Sequence, residues 1–451
     1  MVSNRAGPSA AAHRSVRSRG RALLNSARGY DPLLRNAHLL TLSSVLTSLL
    51  GALYWALAAH WYSPATVGRN SAAVSAMMFL GGVGQLNLAN AMVRFVPSAG
   101  PRTGRLVGLA YLVAATVTLA FAAGLVLLIP VVSPGLGFLH GWGLGAAFVV
   151  ATGAYAIFNL QDGVLTGLRR ADWVALENGL FSAEKIGLLV AFAAVGAVNG
   201  ILLSWMIGLA LALVVTNAFV FGRAVPRHQR TPPKARADTS APTFGYLAAD
   251  YLGAMCWLAA VNLPVVMVLN RLGAADSAYF SLAWMVPFAL YCFSSNMGYS
   301  LVVESARDIT RLDDYRRVLR HSGRVLVASV VLLIAVSPWV LRLFGSGYAR
   351  HGTVVLWLLA LSALPNLLNT TVVALSRARR RMGVVVGVLG GLSLLVLGLT
   401  EALLPVLGIT GAGAAWLIGQ TVVAAVLLWR RSWWLPARQS APGPAAEGPR
   451  A

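Results

Sequence analysis
Residues 106–130 read LVGLAYLVAATVTLAFAAGLVLLIP and carry no charged side chain. A helix rises about 1.5 Å per residue, so a run of this length reaches across the ~30 Å hydrocarbon core of a bilayer. The segment before it, PRTGR at 101–105, places Arg102 and Arg105 at one boundary. Eleven further runs of similar character follow the same reading. They lie at 37–59, 70–93, 143–161, 178–198, 200–222, 243–269, 278–303, 325–344, 353–375, 383–404 and 411–429. The pattern predicts an all-α polytopic membrane protein with about twelve transmembrane helices.

Composition agrees. Hydrophobic residues make up 57% of the 451 and charged residues 11%, against roughly 25% charged in soluble domains. Such a chain lacks the polar surface a soluble globule of this size needs. The formal net charge of +22 would point to nucleic acid in a soluble protein. Here the cations sit in short segments flanking apolar runs, so no nucleic acid partner is expected.

The cations also set a direction. With the N-terminus inside, seven cytoplasmic segments hold 31 of the 36 Lys and Arg residues. The opposite loops hold only Arg69, Arg271, Arg342 and Arg350, and Lys185 falls within a span. That asymmetry is the positive-inside signature, and one span more or fewer would scramble it. It predicts a cell (cytoplasmic) membrane location with both termini cytoplasmic. No short apolar stretch with a small-residue cleavage site precedes the first long run, so no cleaved signal peptide is expected.

The loops are short, and the longest internal connection is 223–242, RAVPRHQRTPPKARADTSAP. It is basic and rich in Pro, and it follows the sixth span. The organisation predicted is a basic, partly disordered tail at 1–36, a six-helix lobe at 37–222, a linker at 223–242, a second six-helix lobe at 243–429 and a tail at 430–451. The halves share sparse matches. Leu50-Gly51-Ala52 and Trp55 read against Leu252-Gly253-Ala254 and Trp257, while Ser71, Ser75 and Asn90 read against Ser277, Ser281 and Asn296. Parallel repeats of this kind are a common transporter plan, with the substrate site at their interface.

Polar groups at membrane depth are costly and mark functional candidates, helix–helix glue being the alternative. In the second span Asn87, Asn90 and Arg94 are spaced three and four apart and share a helical face. Arg94 suits an anionic head group or snorkels to the interface. Asp250 lies about two turns into the seventh span, placed to bind a proton or Na⁺ or to pair with an arginine. Asn262 precedes Pro264, whose ring frees a backbone carbonyl, and Asn296 follows Pro287 in the eighth span. Glu184 and Lys185 occupy either a cavity or an interface. Cys256 and Cys292 form no disulfide framework, and the seven histidines show no metal-ligand spacing. No phosphate-cradling loop, nucleophile elbow or zinc-hydrolase motif is present. A non-enzymatic protein without metal, cofactor or catalytic residue is expected.

The stretch LGALYWALAAHWYSPATVGRNSAAVSAMMFLGGVGQLNLANAMVRFVPSAG (50–100) carries a resemblance, with Ser63-Pro64, Val67-Gly68 and the ending Arg94-Phe95-Val96-Pro97. LRLFGSGYARHGTVVLWLLALSALPNLL (341–368) adds Leu343-Phe344-Gly345 and Tyr348. Together they resemble the polysaccharide-export flippases of the multidrug/oligosaccharidyl-lipid/polysaccharide exporter superfamily. The resemblance implies two six-helix lobes forming a V that rocks between inward-open and outward-open states. It implies a cavity lined by spans one, two, seven and eight, with Asn87, Asn90, Arg94, Asp250, Asn262 and Asn296 as substrate-cavity candidates. The implied cargo is a lipid-linked oligosaccharide, and the implied partners are membrane lipids and the glycosyltransferases and polymerase of a polysaccharide pathway. A small-molecule efflux antiporter of the same superfamily is the alternative, with Asp250 as its cation site.

Overall fold
The computed structural model describes residues 32–230, 244–305 and 312–430, all helices and short connections with no strand among them. The first half holds α1 (Pro32–Trp61), α2 (Pro64–Gly84), α3 (Leu88–Ala99), α4 (Thr103–Val132), α5 (Trp142–Gly167), α6 (Ala171–Ala194), α7 (Gly200–Phe219) and the short α8 (Val225–Gln229). The second half holds α9 (Phe244–Leu272), α10 (Ala274–Ser305), α11 (Leu312–Arg342), α12 (Ser346–Ala378), α13 (Met382–Leu407) and α14 (Ile409–Trp429). Eight helical segments are long and apolar enough to cross a membrane on length and composition alone. The first of the eight, Leu88–Val132, takes in α3 and α4; the remaining long helices, α1, α2, α6 and α10, interleave with the eight. Among the described residues this makes twelve crossings, six in each half.

Within the described residues, short connections reverse the chain between successive spans. One end of the bundle therefore gathers Arg94, Arg102, Arg105, Arg169, Arg170, Arg223, Arg227, Arg377, Arg379 to Arg381 and Arg430. Among the described residues, the other end holds Arg69, Arg271, Arg342 and Arg350. These are called the arginine-rich and arginine-poor ends below.

The two halves pack in the same pattern. In the first, α1 packs on α6, α6 on α7, α4 on α5, α5 on α7, and α2 and α3 on α5. In the second, α9 packs on α13, α13 on α14, α11 on α12, α12 on α14, and α10 on α12. Each pairing in one half has its counterpart at the same order in the other, so the sparse sequence matches reflect a structural repeat. The lobes meet mainly where α2 lies against α9 and α10. Gly68 abuts the backbone of Ala274, its position in the repeat: a Cβ at Gly68 would come within 1.7 Å of the Ala274 carbonyl oxygen. Contact between equivalent positions places the axis relating the lobes between α2 and α10.

Three elements differ from the sequence expectation. The first helix begins at Pro32, inside the segment read as tail. Residues 223–229 are helical, a π turn at Val220–Ala224 running into α8, while 231–243 lie outside the described residues. The second span is broken. It starts at Pro64, with Ser63 capping through its hydroxyl, and breaks between Gly84 and Leu88. There Leu86 (φ 54°) and Asn87 (φ 56°) are both left-handed. Asn tolerates that region, while for Leu it is a strained outlier. The glycines before the break allow close approach. A Cβ at Gly81 would meet the Tyr155 ring at 2.6 Å, and one at Gly84 the Thr118 hydroxyl at 2.1 Å.

Candidate functional site: a cavity and a polar bridge between two lobes
The break in the second span aims Asn87 across the lobe interface. Its Nδ2 donates to Asp250 Oδ2 on α9 at 2.9 Å. Behind it, Asn90 Nδ2 donates to Asn87 Oδ1 at 2.8 Å. The other carboxylate oxygen of Asp250 accepts from Arg377 Nε, at the end of α12, at 2.9 Å. Nearby, the Tyr251 hydroxyl donates to the Val83 carbonyl at 2.9 Å. The result is a chain, Asn90–Asn87–Asp250–Arg377, that ties the lobes toward the arginine-rich end. Of the open readings for Asp250, the geometry selects the arginine partner. The pair is partly buried, with side-chain exposures of 29% for Arg377 and 14% for Asp250. Removing one partner is expected to cost about 1–3 kcal/mol, between the values for exposed and fully buried pairs.

A separate cavity of about 220 Å³ lies between the lobes, nearer the arginine-poor end. It is about 18 Å from the bridge along α9, taking 1.5 Å per residue from Asp250 to Asn262. Trp55, Trp205, Trp284 and Phe288 form aromatic walls, and Ser71, Ser75, Ser281 and Asn262 supply polar groups. The Ser281 hydroxyl donates to Ser71 Oγ across the interface at 3.1 Å. Asn262 is 6% exposed and donates Nδ2 to the Leu258 carbonyl of its own helix at 2.9 Å. Beyond the cavity the arginine-poor end is tied again, as Ser133 Oγ and the Gly135 N–H both donate to Asn270 Oδ1 at 3.1 Å.

The six residues singled out from sequence thus divide. Asn87, Asn90 and Asp250 come together in the bridge, and Asn262 lines the cavity. Arg94 is exposed on α3, one turn beyond Asn90. Asn296 lies on α10, with its side chain outside the described residues.

Sequence reasoning passed over several groups. Arg377 read only as one of four cations in the segment 376–382, because its partner is distant in sequence. Lys185, for which the sequence left a cavity or an interface open, is buried in mid-helix. Its Nζ sits over the rings of Phe181 and Trp205 at 4.7 Å and Tyr54 at 5.3 Å, a cation–π cage that shares Trp205 with the cavity. Asp162 and Glu177 fell in a segment read as loop, yet both are on helices. Glu177 is 1% exposed, and neither of its oxygens has a hydrogen-bond partner. In α12, Asn366, Asn369 and Thr370 line a third space, described below. Their spacing of three and four in an apolar helix is the same signal that picked out Asn87 and Asn90.

The fold, two lobes of six helices, is similar to that of solved MATE transporters of the MOP superfamily and of a lipid II flippase. Among solved structures, the lipid II flippase MurJ in an inward closed conformation matches with a TM-score of 0.67 and 13% identity, over 87% of each chain. An inward-facing multidrug resistance MATE family transporter matches with a TM-score of 0.55 and 17% identity, over 84% of this chain and 93% of that one. A MATE in its bent conformation matches with a TM-score of 0.56 and 14% identity, over 89% of this chain and 95% of that one. No protein-family model and no curated protein matches the chain.

Proposed function
We propose that this protein is a transporter that flips a lipid-linked oligosaccharide across the cytoplasmic membrane by alternating access, for assembly of a cell-envelope polysaccharide. The observation that carries the reading is the interlobe cavity. Three indoles offer flat apolar faces, and Ser71, Ser75, Ser281 and Asn262 offer hydroxyl and amide groups. A sugar ring presents the complementary pair, an apolar C–H face and an edge of hydroxyls that both donate and accept. A cavity of this kind, mostly apolar with a few placed polar groups, is the usual form of a small-molecule site. Among the similar solved structures is a lipid II flippase, MurJ. In this reading the arginine-rich end is cytoplasmic, as are both termini. The glycosyltransferases and polymerase of the same pathway are its functional partners, and membrane lipids are its surroundings.

The test is deletion of the gene followed by analysis of lipid-linked saccharides in right-side-out cells. The expected result is a saccharide intermediate held at the cytoplasmic face and loss of exported polysaccharide. Normal export without accumulation contradicts the assignment.

Small-molecule efflux is the second reading. It is favoured by the unpaired buried carboxylate of Glu177 beside Asp162, which offers a coupling ion a place. Asp250, the residue sequence analysis offered for that role, is already engaged by Arg377.

A further inference from the structure
The second lobe contains its own cavity, of about 300 Å³, between α9, α12 and α13. Its lining includes Trp257, Asn366, Asn369, Thr370 and Arg377. Asn366 is 1% exposed, and neither its Nδ2 nor its Oδ1 has a hydrogen-bond partner. Asn369 spends its Nδ2 on the backbone carbonyl and Oε1 of Gln420, at 3.0 and 2.7 Å, leaving its own Oδ1 without a partner. Leaving such groups unsatisfied costs about 1–3 kcal/mol each. An occupant that both donates and accepts would recover that cost, and hydroxyls do both. Trp257 adds an apolar face, and Arg377 adds a fixed cation at the wall.

Arg377 belongs to the lobe–lobe bridge as well. A guanidinium has five N–H donors in a fork that suits phosphate as well as carboxylate, and Asp250 takes Nε. A phosphoryl group entering the cavity would compete with Asp250 for this fork. Asp250 is also the acceptor for Asn87, so the competition reaches the contact between lobes.

We propose that the cavity inside the second lobe binds a phosphoryl-sugar head group, whose sugar pairs with Asn366 and Asn369 and whose phosphoryl oxygens draw Arg377 from Asp250. This rests on the lipid-linked saccharide reading and adds to it a site distinct from the interlobe cavity. Head-group entry then withdraws the cation from the carboxylate that Asn87 holds across the interface, so occupancy of this cavity is coupled to the lobe contact.

The experiment is calorimetric titration of the purified full chain with two soluble probes, geranyl diphosphate bearing N-acetylglucosamine and geranyl diphosphate alone. The sugar-bearing probe is expected to bind about tenfold more tightly, and inorganic phosphate at equal concentration is expected not to displace it. Asn366→Leu, with Asn366→Ala as a second variant should the first not fold, is expected to reduce the sugar-bearing probe to the affinity of the sugar-free one. Asp250→Asn is expected to tighten both probes several-fold, because it removes the internal competitor for Arg377. Absence of binding, equal binding of the two probes, displacement by phosphate, or weaker binding to Asp250→Asn each overturns the proposal. The titration requires no transport. Binding as predicted without flipping would leave the site and remove the flippase reading, whereas flipping with the wrong Asp250→Asn response would remove the site alone.

Discussion

At the residue scale, the bridge and the buried ionisable groups make separable predictions. Arg377→Ala leaves the Asp250 carboxylate, 14% exposed, without its cation and is expected to lower stability by about 1–3 kcal/mol. The reading is the thermal midpoint of the detergent-solubilised protein by size-exclusion fluorescence. A double change with Asp250→Asn is expected to cost less than the single, since no buried charge is then left unpaired; additive losses would show that the two side chains do not interact. Glu177 sets a second case. With neither oxygen partnered, an ionised carboxylate there is uncompensated, so Glu177→Gln is expected to raise the midpoint. A lower midpoint would mean that the carboxylate is held by a cation. At the arginine-rich end, Arg170 donates to both oxygens of Asp172 at 3.0 and 2.8 Å and holds that carboxyl below the usual carboxylate range. Stability from a depressed carboxylate is present above its ordinary titration range and is lost as pH falls through the folded value. With the pair well exposed, Asp172→Asn is expected to change stability by less than about 1 kcal/mol at neutral pH.

At the scale of elements, the broken second span decides how the lobes touch. Strain at Leu86 (φ 54°) is of order 1–3 kcal/mol. Leu86→Gly is expected to recover part of it as a higher thermal midpoint while keeping the Asn87–Asp250 contact. Gly68 controls the opposite end. Gly68→Val pushes a side chain into the Ala274 backbone, so α2 and α10 must part at the arginine-poor end. A cysteine pair at Ser71 and Ser281, whose hydroxyls are 3.1 Å apart, reports this in a background with Cys256 and Cys292 replaced. Oxidative cross-linking is expected to be efficient with Gly68 and lost with Gly68→Val; equal cross-linking in both would show that this face does not carry the lobe contact.

The number of spans was legible in sequence because apolar runs of membrane length and the arginine alternation report it independently. The break at Gly84 to Leu88 was not. Gly81, Gly82 and Gly84 signal close packing, but nothing local says that Leu86 and Asn87 will turn left-handed. Asn87, Asn90 and Asp250 were legible singly, as polar groups where such groups are costly. Their union was not, because Arg377 is 127 positions from Asp250 and only the repeat's packing brings them together. The cavity tryptophans were invisible for the opposite reason: Trp55, Trp205 and Trp284 look like ordinary apolar residues of spanning helices.

At the scale of the whole molecule, two pseudo-equivalent lobes meet along α2, α9 and α10, with ties at both ends and a cavity between. Rigid rocking of repeats about a fixed interface is the usual way such a plan alternates access. The tie through Asn87, Asp250 and Arg377 and the contact of Gly68 with Ala274 are the two places where rocking must break something. Under the proposed transport function, locking the protein at either place should stop turnover while leaving it folded.

The most direct test reconstitutes the Ser71/Ser281 cysteine variant in liposomes with a fluorescent lipid-linked oligosaccharide and follows the fraction accessible to a membrane-impermeant quencher. The account predicts protein-dependent flipping that stops on oxidation and resumes on reduction. Flipping no faster than in protein-free liposomes, or flipping unaffected by the cross-link, would contradict it.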